Sequence, residues 1–130
     1  MRQRYIITGA MFGLLAVIFG AFGAHGLKKV LDSATITSFE TGVRYQMYHA
    51  LLLVILGNSK KYSSSILYWC FTIGVCLFSG SIYLLCLDEL IGVNLSGIAL
   101  TTPVGGAILI IGWTLLVVRG IKNASPEELK

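Results

Sequence analysis

The sequence predicts an all-α membrane protein: a bundle of four transmembrane helices with a short interfacial helix between the first and second. Three observations lead there. Hydrophobic residues make up 55% of the chain and charged residues only 12%, whereas about a quarter of the residues in a soluble globule are charged. The apolar residues gather into four blocks, 5–24, 43–56, 65–87 and 102–118, which approach or meet the about 20 residues that a helix needs to cross a bilayer. None of the blocks alternates apolar with polar residues, as the strands of a membrane barrel must. Little chain is left over, so residues 1–130 are read as one integral membrane domain without a soluble enzymatic module.

The first helix is expected over 5–24. Met1-Arg2-Gln3-Arg4 ahead of it imitates the head of a signal peptide, and Ala21-Phe22-Gly23 imitates a cleavage site. The apolar run exceeds the about 7–15 residues of such a segment, so a retained helix is expected. Gly9, Gly13, Ala16, Gly20 and Gly23 recur at spacings of four and three, which puts them on one face. Small residues let a neighbouring backbone approach closely, the main source of helix association in lipid. This face is expected to receive another helix of the same chain, or the same helix of a second copy.

Gly20, Gly23 and Gly26, with His25 among them, mark a fraying end. The stretch Leu27–Phe39 mixes Lys28, Lys29, Asp32, Ser33, Thr35, Thr37 and Ser38 with apolar residues. It reads as the interfacial helix, with Asp32 or Ser33 as a cap whose side chain accepts free backbone N–H groups. The second spanning helix is expected over 37–57. From Val43 to Leu56 alone it would reach only about 21 Å, short of a hydrocarbon core of about 30 Å. The third is expected over 65–87, with a small, weakly polar patch of Gly74, Ser79, Gly80 and Ser81 before Tyr83. The fourth, over 102–119, opens on Thr101-Thr102-Pro103, proline being suited to a first turn. In the tail, Ser125-Pro126-Glu127-Glu128 reads as the start of a frayed helix.

Positive charge near the block ends sets the orientation. Arg2 and Arg4, Lys60 and Lys61, and Arg119 and Lys122 fall on one side of a four-helix path; the other side has Lys28, Lys29 and Arg44 in the first loop, but Asp88 and Glu89 after the third helix. This predicts a bacterial inner-membrane protein with both termini in the cytoplasm. The net charge of +4 is then mainly a topology signal, and no nucleic-acid partner is expected. Cys70, Cys76 and Cys86 share one apolar block and match no zinc or redox spacing, so they read as packing residues.

The segment Thr41-Gly42-Val43-Arg44-Tyr45-Gln46-Met47-Tyr48-His49-Ala50 is where specific function is sought. A charge inside lipid is expensive and faces a partner, a cavity or the bundle interior. Glu40 and Arg44 are four apart, in the favourable order for an ion pair, as are Arg44 and Tyr48, and Tyr45 and His49. With His25, these residues form the candidate polar network or ligand site at the outer half of helix two.

Gly20-Ala21-Phe22-Gly23-Ala24-His25-Gly26-Leu27, the Thr41–Ala50 segment, Phe78-Ser79-Gly80-Ser81-Ile82-Tyr83, and Thr102-Pro103-Val104-Gly105-Gly106 with Ile111-Gly112-Trp113 together resemble the domain-of-unknown-function 423 family, small bacterial inner-membrane proteins related to eukaryotic transmembrane protein 256. The resemblance implies a four-helix integral membrane protein and brings no activity, substrate or cofactor.

Four roles are weighed for the candidate residues. A structural network would pin helix two against the first and third helices, with the Ser79 patch receiving the Arg44 stripe; the protein is then a scaffold, assembly factor or small subunit. A binding site for a lipid headgroup or small anion would use the planar guanidinium of Arg44, flanked by Lys28 and Lys29, with Tyr45 and Tyr48 at headgroup level. A proton-linked transporter, formed by an oligomer, would use His25 and His49 as relay groups. A metal enzyme would need ligands from His25, His49, Glu40 and Asp32, but no paired-histidine spacing supports one. The expectation is a non-enzymatic protein without cofactor or metal, whose partners are membrane lipids, a second copy or another membrane protein.

Overall fold

The computed structural model describes residues 1–124, and all regular structure among them is helical. Helix α1 spans Arg2–His25, α2 Ser33–Asn58, α3 Ser65–Ile91 and α4 Thr101–Asn123, with short 3-10 turns at Leu27–Lys29 and Ser96–Ile98. Three stretches, Arg2–Lys29, Ser65–Ile91 and Ser96–Asn123, are long and apolar enough to cross a membrane. Helix α2 is as long, at 26 residues, but its polar first half makes it less apolar. The expected tail helix at 125–128 lies outside the described residues.

The helix ends follow local chemistry. The N–H of Gly26 closes α1 on the Phe22 carbonyl at 2.8 Å, and buried Leu27 holds the following turn to the bundle. The Asp32 carboxylate caps α2, accepting from the N–H groups of Ala34 at 2.9 Å and Thr35 at 3.0 Å and from the Thr35 hydroxyl at 2.6 Å. The Thr35 hydroxyl, then its N–H, hold the carboxyl of Asp32 below its usual range. At the end of α3, Gly92 takes a left-handed φ of 70°, and Val93 N–H reaches back to the Asp88 carbonyl at 3.1 Å. A side chain is strained in that conformation, which is why glycine ends the helix here.

One expectation is corrected. The stretch Leu27–Phe39 is not a separate interfacial helix: it divides into the Leu27–Lys29 turn and the first turns of α2. The Asp32 cap starts a helix that runs unbroken through Phe39, because no proline or glycine interrupts Ser33–Phe39.

Neighbouring helices pack antiparallel through small residues. Along α1, a Cβ at Gly9 would meet the Ala50 carbonyl at 2.7 Å and Val54, one at Gly13 the Ala50 side chain, one at Gly20 Val43, and one at Gly23 Phe39. Ala16 on the same face is buried. The small-residue face of α1 is therefore occupied by α2 of the same chain. Between α3 and α4 the arrangement is reciprocal. Gly74 of α3 lies under Leu109, while Gly105 and Gly112 of α4 lie against Phe78 and Phe71. A Cβ on Gly105 would run into the backbone of Leu77 and Phe78. Two apolar clusters result. Tyr5, Leu53, Leu56, Leu67, Phe71, Val75 and Leu109 fill the end that holds the N-terminus, and Leu27, Ile36, Phe39 and Cys86 fill the other.

Candidate functional site

Between the two clusters lies a layer of buried polar groups, built on the inward face of α2. Gly42, Gln46, His49, Ala50 and Leu53 are all buried there. The Gln46 amide donates to the Phe12 carbonyl of α1 at 2.8 Å and accepts from the Tyr83 hydroxyl of α3 at 2.8 Å. The Ser79 hydroxyl donates to the Gly42 carbonyl at 2.7 Å. One glutamine thus ties three helices together. A buried amide satisfied on both ends costs little, whereas an unsatisfied one in lipid is expensive.

His49 completes the layer. Its Nδ1 lies 2.7 Å from the Tyr45 carbonyl, and its Nε2 lies 3.1 Å from the Trp113 indole nitrogen of α4. A carbonyl only accepts and an indole N–H only donates, so Nδ1 carries the hydrogen and Nε2 accepts. Both ring nitrogens of the neutral imidazole are used by the fold. The ring also sits 5.7 Å from Phe71 and 6.1 Å from Trp113. Beside it a groove of about 270 Å³ opens between α2, α3 and α4, lined by Tyr45, His49, Phe78, Leu109 and Trp113.

The candidate residues do not form one network. Glu40, Arg44, Tyr45 and Tyr48 are exposed, and His25 is exposed at the end of α1. The Arg44 guanidinium donates to the Thr41 hydroxyl at 3.0 Å rather than pairing with Glu40 among the described residues. Ser79 of the small patch bonds the Gly42 carbonyl, and Tyr83 beyond it bonds Gln46; neither receives the Arg44 stripe. His25 and His49 are not brought together. The register of α1 on α2 places His25 about 11 residues, or about 17 Å, along the bundle from His49. Of the six candidates only His49 belongs to the buried layer, while Gln46, Ser79, Tyr83 and Trp113 were not among them.

The reason is rotation. Arg44 and His49 are separated by about 140° around a helix of 3.6 residues per turn, so they cannot serve one surface. The signal that finds Gln46 is the run Gly42, Gln46, Ala50 and Leu53, in which small residues mark the side facing a neighbour. Among the described residues, no group of three His, Cys, Asp or Glu is placed to hold a metal ion.

Comparison with known proteins places the chain. The family described as "Protein of unknown function (DUF423)" matches residues 19–106, a range that holds Gly42, Gln46, His49, Ser79 and Tyr83. The chain belongs to the DUF423 family. Similar relatives include the UPF0382 membrane protein YwdK of Bacillus subtilis, 40% identical over 91% of this chain and 96% of its own. A UPF0382 membrane protein of Staphylococcus epidermidis is 38% identical over 92% of this chain and 97% of its own. One from Haemophilus influenzae is 35% identical over 96% and 99%. No solved structure matches. These relatives are named as membrane proteins, in agreement with the three apolar stretches of this DUF423 chain.

Proposed function

We propose that this DUF423 protein is a non-enzymatic inner-membrane protein of four crossing helices, both termini cytoplasmic. It acts as a scaffold, assembly factor or small subunit, docking a membrane partner on the outward face of α2. The carrying observation is that Glu40, Arg44 and Tyr48, at successive turns of α2, point away from the bundle. Apart from its bond to Thr41, the guanidinium has no hydrogen-bond partner among the described residues. An arginine facing lipid costs about 2.5–3.5 kcal/mol on the insertion scale, and a partner that offers acceptors removes much of that cost.

The crossing of α2 is supported by its register. It runs beside α1 from Val54 at Gly9 to Phe39 at Gly23, so a bilayer containing α1 contains the same length of α2. The orientation is supported by charge segregation. Arg2, Arg4, Lys60, Lys61, Arg119 and Lys122 gather at the end with the N-terminus, and the described acidic residues Asp32, Glu40, Asp88 and Glu89 lie toward the other.

A second reading has its own observation. The bond to Thr41, one turn nearer the start of α2, aims the guanidinium toward the outer surface, where a lipid phosphate would accept its fork of donors. Photo-crosslinking separates the two. With a benzophenone amino acid at position 48, protein in its native membrane is expected to give a discrete protein adduct that disappears with Arg44→Ala. An adduct of twice the mass makes the partner a second copy. Lipid adducts alone reject protein docking and leave the headgroup reading.

A further inference from the structure

A second feature lies at the opposite end of the molecule, away from Arg44. Between the start of α3 and the end of α4 is a groove of about 340 Å³, with Ile66, Leu115 and Val118 forming its walls and Arg119, Lys122 and Asn123 its rim. The rim is fixed to the α2–α3 loop: Arg119 Nε and Asn123 Nδ2 both donate to the Lys61 carbonyl, at 3.3 and 3.4 Å. That anchoring places the Lys61 backbone, and with it the Lys60–Lys61 pair, beside the groove.

We infer that this groove is a binding site for one anionic phospholipid of the cytoplasmic leaflet, its phosphate on Arg119 and Lys122 and an acyl chain along Ile66, Leu115 and Val118. Charge complementarity selects the occupant. Every acidic residue among those described belongs to the other half of the bundle, so the charged side chains described at this end are all cationic. The apolar wall selects a lipid over a free phosphate ion, since an ion would leave Leu115 and Val118 without a partner. A basic rim above an apolar cleft between crossing helices is the arrangement that holds anionic headgroups at a cytoplasmic surface. The assignment rests on the proposed orientation only for the choice of leaflet.

The test is native mass spectrometry of the full chain released from nanodiscs that contain phosphatidylglycerol and phosphatidylcholine on both faces. A symmetric bilayer makes lipid retention independent of orientation, so failure of the site and failure of the topology are distinguishable. The wild type is expected to retain one phosphatidylglycerol in preference to phosphatidylcholine. Lys122→Gln is expected to lower that retention about fivefold, the effect of one basic charge near a membrane surface, and Lys122→Arg to restore it. Lys122 is chosen because, unlike Arg119, it makes no bond that holds the loop. Val118→Trp, which fills the cleft and leaves the charge unchanged, is expected to abolish preferential retention. Arg4→Gln, at the same end but outside the groove, is expected to have no effect. Equal losses from Arg4→Gln and Lys122→Gln, or full retention in Val118→Trp, would mean diffuse attraction and overturn the site. Retention that appears only when Glu127 and Glu128 are changed to Gln would also overturn it, making the chain's own tail the occupant.

Discussion

Gly105→Val is expected to separate α3 from α4 and leave no folded bundle in detergent. A Cβ at this position meets the backbone of Leu77 and Phe78, not the end of a movable side chain. Relief therefore requires α4 to move off α3, and with it Leu109 off Gly74 and Trp113 off His49. Overpacking of a close core contact costs about 1–3 kcal/mol where side chains can yield. Gly105→Ala is expected at the upper end of that range, and valine beyond it. The measurement is unfolding in mixed micelles, followed by tryptophan fluorescence from Trp69 and Trp113. Gly80→Ala and Gly120→Ala serve as controls, because no atom of the described residues lies within 4 Å of either added Cβ. They should be neutral or stabilising, since alanine favours a helix more than glycine does. A Gly105→Ala variant as stable as these two would mean that the helices do not approach as described.

Gln46→Leu is expected to cost about 1–2 kcal/mol in the same assay. Single hydrogen bonds in membrane proteins average about 0.6 kcal/mol and reach about 1.7, and Gln46 makes two that join three helices. Leucine removes both and leaves the Tyr83 hydroxyl without its acceptor. Adding Tyr83→Phe removes that orphaned hydroxyl, so the double variant should be more stable than the sum of the single losses by about 0.5–1.5 kcal/mol. Strict additivity would show that Gln46 and Tyr83 do not act through each other. Both would then be ordinary packing positions.

Three of the long helices were legible in the sequence because length and apolarity mark a segment able to cross a bilayer, and the apolar blocks 5–24, 65–87 and 102–118 record both. Pairing of α1 with α2 was legible in part: the spacing of Gly9, Gly13, Ala16, Gly20 and Gly23 marks a contact face, while the occupant of that face depends on the whole bundle. The interfacial helix was misread because polar residues near a membrane surface suit a surface helix and the capped start of a longer one equally well. Only the Asp32 cap, bonded to Ala34 and Thr35, distinguishes them. The polar residues of α2 were read as one stripe because composition along an axis hides rotation around it. Glu40, Arg44 and Tyr48 fall outward; Gln46 and His49 fall inward. Trp113 was unreadable as the partner of His49, since nothing local in either segment encodes a contact across 64 residues.

That rotation divides α2 into an inner face that holds the bundle and an outer face on which the proposed partner would dock. The most direct measurement is native mass spectrometry on protein extracted gently from its own membrane, paired with unfolding in micelles, for Arg44→Ala beside Gln46→Leu. Arg44→Ala should lose its bound protein or lipid while its stability stays within about 0.5 kcal/mol of the parent, as expected of a surface change. Gln46→Leu should lose stability and keep what is bound whenever it is folded. An Arg44→Ala variant as unstable as Gln46→Leu, with its bound species unchanged, would contradict the division and make Arg44 part of the structural core.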